Sequence, residues 1–270
     1  MKGKVYLVGA GPGDPELLTV RALRLLESAE VVLYDDLVSF EILSLIPSTA
    51  ELHPVGKRCG SKSIRQEEIN FLMIALAESG RQVIRLKSGD PLIFGRAGEE
   101  IEALRRAGIA CEIVPGITSA LGAAAAVQIP LTHRRASSAV VLLTAQQASG
   151  SKAAEWKKLV GSGSTLVIYM PGPDYGEIGS KLQSAGLGDG TPCALISRAT
   201  TPHQRVHRTS VGELRHAPHL DSPTLLVVGE VVRLADSSAL DALSAPGLVS
   251  DSSMVSDAAA ARVGDEEAFA

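Results

Sequence analysis

Residues 82–96 read QVIRLKSGDPLIFGR, and the reading of this stretch decides the fold. Val83, Ile84 and Leu86 are the apolar residues of a buried strand, which Ser88, Gly89, Asp90 and Pro91 break abruptly. Gly95, Ala97 and Gly98 then lead into a helix that Glu99 and Glu100 open with charge matched to its N-terminal dipole. Strand, loop of small residues and helix make one unit of an α/β sheet. In such open sheets ligands sit beyond the carboxyl ends of the strands, where main-chain amides and short side chains are free. Taken alone the loop reads as a tight turn with a charged lip. The remainder of the chain turns that reading toward a ligand site.

Working outward, the unit recurs. Val5 to Val8 is a strand ending in Gly9-Ala10-Gly11-Pro12-Gly13-Asp14-Pro15, and Leu18, Ala22, Leu25 and Ala29 follow at helical spacing. Val31 to Tyr34 is the next strand and ends in Asp35 and Asp36. Leu37 to Ile46 reads as a short helix stopped by Pro47. His53-Pro54-Val55 leads into Gly56-Lys57-Arg58-Cys59-Gly60, two cations between glycines, for which a solvated surface is the plain alternative. Ser63 with Gln66 forms a capping-box pair for a helix buried through Ile69, Leu72, Met73 and Leu76 and closed by Gly80. Ala110 to Val114 is a further strand, closed by Pro115-Gly116-Ile117-Thr118-Ser119. The small residues of the helix Ala120 to Ala126 permit either close packing or room for a ligand. One parallel sheet would set Gly9 to Asp14, Asp35, Lys57, Ser88 to Asp90, and Thr118 with Ser119 along a single edge. Five such loops in register point to a binding edge.

The glycine loop invites a dinucleotide reading that its spacing opposes. Gly9, Gly11 and Gly13 follow GxGxG, and Asp14 stands where a third nucleotide-binding glycine belongs. Pro12 also removes an amide donor. A nicotinamide cofactor therefore ranks below another ligand.

A chain of 270 residues suggests two domains. Hydrophobic residues make up 45% and aromatics 3%, so the core is aliphatic, as in parallel sheets covered on both faces. A net charge of −4 argues against nucleic acid as the main partner. Cys59, Cys111 and Cys193 form no CxxC pair and read as reduced thiols of a cytoplasmic protein. No apolar run is long enough to cross a bilayer, and a strand pattern beginning almost at Met1 leaves no expected leader.

Ile129 to Arg135 (IPLTHRR) reads as the link between an N-terminal α/β domain, 1–131, and a C-terminal α/β domain, 132–235. Its basic cluster lies where domain interfaces often hold ligands, with a solvated linker as the alternative. Ala139 to Leu143, Thr165 to Met170, Cys193 to Ile196 and Thr224 to Val228 read as strands, with helical patterns at Ala153 to Leu159 and Tyr175 to Ala185. His203 to Arg208 suggests another strand, antiparallel. On a strand His203 and His207 would lie well over ~10 Å apart, so no metal site is expected there. Residues 236–270 turn to Ala, Ser, Asp and Glu and read as a disordered tail.

Together these motifs resemble the tetrapyrrole methylase family. The resemblance runs from about Val5 to Val232, through Gly9 to Pro15, Tyr34-Asp35, Val55 to Arg58, Gln66 to Asn70, Arg85 to Glu100 and Val114 to Ala120. It continues through Ile129 to Arg134, Tyr169-Met170, Gln204 to Val206 and Val228 to Glu230. Order and spacing carry it, not any single motif. It implies two α/β domains with the active site in the trough between them, a homodimer, and S-adenosylmethionine as methyl donor without a metal. It implies C-methylation of uroporphyrinogen III on two neighbouring pyrrole rings to give precorrin-2, for sirohaem and cobalamin synthesis. Another tetrapyrrole acceptor, or a non-catalytic tetrapyrrole- or cofactor-binding homologue, are the alternatives.

Residue by residue, the resemblance puts Pro12, Ser88, Gly89, Asp90, Ile93, Thr118, Ser119, Met170 and Ala199 on the family's cofactor-contacting places. Asp35 falls on its proton acceptor and Lys57 on its proton donor. Arg58, Arg96, His133 and Arg134 are the candidates for the acetates and propionates of the substrate. Several positions depart from the family pattern. Ser88, Ala97 and Ala199 replace expected glycines, and Leu92 an expected phenylalanine. Arg135 replaces an aspartate, and Ala145-Gln146 a Gly-His pair.

Overall fold

The structure, a computed structural model, describes residues 2–56, 64–146, 156–160 and 163–235. Within them the apolar runs form two five-stranded sheets. The first contains β1 (Lys4–Gly9), β2 (Val31–Tyr34), β3 (Glu51–Pro54), β4 (Val83–Lys87) and β5 (Ala110–Val114). Their order is β3-β2-β4-β1-β5, and every pairing is parallel. The strand of the 82–96 stretch is thus the middle of the sheet. It also separates β1 from β2, which adjoin in a dinucleotide-binding unit.

Both faces of this sheet are covered, which is why its strands are nearly continuous in Val, Leu and Ile. Val5, Leu7, Val31, Leu33 and Val83 pack against α3 (Gln66–Glu78) and α4 (Ala97–Arg106) through Met73, Ala77 and Leu104. Val8, Val32, Ile84 and Leu86 pack against α1 (Val20–Glu27) and α2 (Phe40–Leu43) through Ala22, Leu26 and Ile42. The predicted capping box of α3 is replaced. Glu68 reaches back to accept the Arg65 backbone N–H at 3.1 Å, and Gln66 is buried; Ser63 lies outside the described residues. The helix α2 is also shorter than the span 37–46 expected for it.

The second sheet is mixed. It contains β6 (Val140–Thr144), β7 (Thr165–Tyr169), β8 (Pro192–Ser197), β9 (Arg205–Ser210) and β10 (Thr224–Val228), in the order β6-β7-β10-β8-β9. Only β6 and β7 run parallel; β10 opposes both β7 and β8, and β9 opposes β8 as predicted. His207 lies in β9 and His203 outside it.

The helix α5 (Ser119–Ala126) follows β5 in the chain yet packs on the second sheet. Ala120, Ala123 and Val127 meet Val167, Ile196, Leu225 and Val227. Its small residues therefore serve close packing. A Cβ on Gly122 would come within 2.5 Å of the Pro12 ring. This helix fastens one half of the molecule to the other. On the opposite face of the second sheet, α6 (Trp156–Val160) and α7 (Tyr175–Ser184) pack through Ile178 and Leu182. The predicted tail, 236–270, lies outside the described residues, as does Cys59.

Candidate active site

The parallel strands end on a common edge, and the loops leaving them form one wall of a trough of about 530 Å³. Tyr169, Met170, Ile196, Ala199 and Leu225 of the second half form the facing wall. The volume lies within the range of small-molecule sites. All the residues expected to contact a cofactor line this one trough: Pro12, Ser88, Gly89, Asp90, Ile93, Thr118, Ser119, Met170 and Ala199.

The loop wall is held together by main chain. Gly11 and Gly89 exchange backbone hydrogen bonds of 3.1 and 2.7 Å, joining the β1 loop to the β4 loop. Gly89 takes a left-handed φ of 65°, and Gly116 packs so closely that a Cβ there would lie 2.8 Å from the Gly9 Cα. Asp90 ties the β4 loop to the β5 loop. Its Oδ1 accepts the Leu92 N–H at 2.8 Å and its Oδ2 accepts the Gly116 N–H at 3.0 Å. Asp14 has a local task as well. Its side chain accepts the Glu16 N–H at 2.8 Å at the start of the 3₁₀ turn Pro15–Leu17, and its own N–H donates to Thr200 Oγ1 at 3.2 Å. That accounts for a carboxylate where a nucleotide loop would have glycine.

Across the trough, the Tyr169 hydroxyl accepts the Ala120 N–H at 3.1 Å and lies 2.6 Å from Thr118 Oγ1. A residue of the second sheet thereby caps the N-terminus of α5. Burial pushes the Tyr169 phenol above its ordinary range. Its ring also packs on Phe94, with centroids 4.9 Å apart. Phe94, Arg96 and Met170, all on the trough wall, have left-handed backbones with φ of 52°, 56° and 49°. Such conformations cost about 1–3 kcal/mol each, and they concentrate where a ligand must be clamped.

At the floor stands Asp35, at the carboxyl end of β2, with its side chain 28% exposed. It pairs with the guanidinium of Arg85, a fully buried arginine within β4. Arg85 Nε also binds Glu100 Oε1 at 3.0 Å, and Lys87 Nζ binds the same oxygen at 3.1 Å. Lys87 Nζ lies 3.9 Å from Asp35 Oδ2. Gln66 Nε2 adds a 3.2 Å hydrogen bond to Glu100 Oε1, while Glu100 Oε2 has no hydrogen-bond partner among the described residues. Two cations and two carboxylates thus meet in a largely buried cluster in which Asp35 is the most exposed. Burial, and then the neighbouring Arg85, lower the proton affinity of Lys87 below the lysine range.

Apolar periodicity does not mark Arg85, Lys87 or Glu100 as site residues. The available signal is charge at alternate positions, 85 and 87, inside an otherwise aliphatic strand. Two charges on one face of a central strand need buried partners. Glu100, expected only to favour the helix dipole, supplies one.

The cations expected to meet substrate divide. Arg96 lines the trough and pairs with Glu99 at 2.6 Å, which raises the arginine's proton affinity and lowers that of the glutamate. Lys57 and Arg58 lie outside the described residues. The structure does not bring His133 and Arg134 to the trough. The chain closes a tight turn there, with His133 and Ser137 exchanging backbone hydrogen bonds of 2.8 and 2.9 Å, and Arg134 stands exposed. Of the departures, Ser88, Gln146 and Ala199 line the trough, while Ala97 is buried beside α3. Neither Ser88 nor Ala199 has a left-handed backbone.

Comparison with known proteins gives one answer. A family model described as Tetrapyrrole (Corrin/Porphyrin) Methylases matches residues 4–215. The uroporphyrinogen-III C-methyltransferase of Pseudomonas aeruginosa is 52% identical over 236 residues, covering 86% of this chain and 96% of that protein. A siroheme synthase of Azotobacter vinelandii is 50% identical over 240 residues, 88% of this chain but 52% of its own length. The chain thus spans about half the length of the siroheme synthases it matches. Among solved structures, the uroporphyrin-III C-methyl transferase of Thermus thermophilus complexed with S-adenyl homocysteine superposes with a TM-score of 0.76 at 39% identity. It covers 86% of this chain and 100% of that one.

Proposed function

The chain belongs to the tetrapyrrole methylase family, and from that premise we propose that it transfers methyl groups from S-adenosylmethionine to carbon atoms of uroporphyrinogen III. Two neighbouring pyrrole rings are methylated, giving precorrin-2 for sirohaem and cobalamin synthesis. The observation that carries this reading is convergence. Cofactor positions drawn from five separate chain segments line a single trough, with a carboxylate at its floor.

When bound, S-adenosylmethionine would supply an electrophilic methyl on a sulfonium, whose sulfur–methyl bond would break as the carbon–methyl bond forms. The chain's own work is alignment and proton removal. The loops after β1, β4 and β5 and the facing Met170 and Ala199 define where the donor lies. Asp35, at the floor, accepts the proton that the methylated ring must lose. Lys57 is the proton donor, and Arg58 and Arg96 meet the carboxylates of the substrate rim. His133 and Arg134 would reach that rim only if substrate extends beyond the trough walls. We further propose that residues 1–131 and 132–235 act as two domains and that the enzyme works as a cytoplasmic homodimer. Among the described residues no helix is long and apolar enough to cross a membrane.

Titration calorimetry should give binding of S-adenosylmethionine and none of NAD, and the purified chain should turn over uroporphyrinogen III. Asp35→Asn should lower turnover by about 10²–10⁴-fold at unchanged cofactor affinity, because it removes proton transfer and keeps shape. Wild-type turnover in that variant, where chemistry limits the rate, would refute the base.

A further inference from the structure

We propose that Lys87 and Glu100 are positioning residues for the Asp35 carboxylate: with Arg85 they form a charge-balanced buried set that fixes how readily Asp35 takes a proton. The inference rests on the reading of Asp35 as the base and deepens it. Three features of the set carry it.

The first is burial. Arg85 and Lys87 line the trough yet are almost fully enclosed and Glu100 is wholly so, whereas Asp35 is 28% exposed. The set therefore exposes the Asp35 carboxylate most and keeps the charges beside it largely out of solvent. The second is geometry. Glu100 engages both cations through a single oxygen, and each cation also faces Asp35, through the Arg85 ion pair and the 3.9 Å approach of Lys87. A change of charge at any member is felt at Asp35 with little solvent between. The third is Glu100 Oε2, which among the described residues meets no donor. The contacts of Glu100 thus run through the one oxygen that Arg85, Lys87 and Gln66 share.

The groups that face Asp35 come from several elements. Arg85 and Lys87 come from β4, Glu100 from α4, and Asp36 from its own loop. Arg96 and Glu99 neutralise each other at the head of α4, and Gln66 of α3 is uncharged. Lys57 and Arg58 follow Gly56 in the sequence. The sign follows from the balance. Removing the Lys87 cation leaves Glu100 and Asp35 sharing Arg85, so ionised Asp35 is disfavoured. Removing the Glu100 charge as well restores a single pair.

The test is the pH profile of kcat for uroporphyrinogen III methylation with both substrates saturating. Lys87→Met should move the acid limb upward by about one pH unit, as expected for loss of an opposite charge at this range. Lys87→Met with Glu100→Gln should return the limb to the wild-type position. A purely structural role would lower the rate in both, more in the double variant, and leave the limb in place. That result would overturn the inference. Should Lys87→Met fail to fold, the charge-balanced double variant decides the matter, and a limb displaced from wild type would count against the proposal. Asp35→Asn separates the two readings. If it retains full turnover, the base itself is wrong; if it is inactive while the Lys87→Met limb stays put, only the present inference falls.

Discussion

At the carboxyl end of β4, the side toward β1 and β5 is built mainly from main chain and the side toward α3 and α4 is built from charged side chains. Gly9, Gly11, Gly89 and Gly116 bring three loops into backbone contact, with Asp90 as the tie between two of them. A few ångströms along the same strand, Arg85 and Lys87 meet Asp35 and Glu100. The glycine junction has no flexible atom to give way, so it should be intolerant of volume. The charged set has long side chains that can readjust, so it should tolerate volume better than it tolerates a change of charge.

The strongest challenge to this contrast is Gly116→Ala. Its new Cβ would overlap the Gly89 carbonyl oxygen and crowd Gly9, and all of the nearest atoms are main chain. Overpacking of that kind costs about 1–3 kcal/mol or more. At this chain length a fall in Tm of roughly 3–10 °C should follow, with weakened S-adenosylmethionine binding because Gly89 and Asp90 must shift. An unchanged Tm and affinity would show that the junction yields, and the contrast would lose its rigid half.

Tyr169→Phe sharpens the comparison across the trough, with a smaller effect. It keeps the ring against Phe94 and removes the hydroxyl that meets Ala120 N–H and Thr118. Leaving a buried donor without a partner should lower stability by about 1 kcal/mol, read as a shift of the urea midpoint at constant slope. No shift would mean that the α5 N-terminus does not depend on the second sheet.

Ser88→Gly should do least. The left-handed turn falls on Gly89, not on Ser88, so the serine has no backbone strain to relieve. Affinity for S-adenosylmethionine should stay equal or improve. A loss of about 0.5–1.5 kcal/mol in calorimetry would show instead that the hydroxyl has become a ligand, since that is the net worth of one hydrogen bond.

Much of the trough wall was legible because its sequence pattern is local. Gly9 to Pro15, Ser88 to Asp90 and Thr118-Ser119 each sit where an aliphatic strand gives way to small residues, and that pattern is visible within one segment. The same logic says less at His133 and Arg134, a basic cluster that forms a tight turn and is not among the residues lining the trough. Nothing local records where such a turn points.

By itself, the sequence determined that aliphatic strands alternate with amphipathic helices and that their loops collect on one edge, because strand and helix periods are set by residues a few positions apart. Only the tertiary structure decided that β4 lies between β1 and β2, that α5 covers the second sheet, and that Asp35, Arg85, Lys87 and Glu100 meet. Strand order is chosen by the packing of whole faces, which no single segment encodes. Once β2 and β4 are neighbours, Arg85 lies opposite Leu33, and Asp35, just past the end of β2, comes within its reach, so a charge that would be costly alone in the core finds its partner.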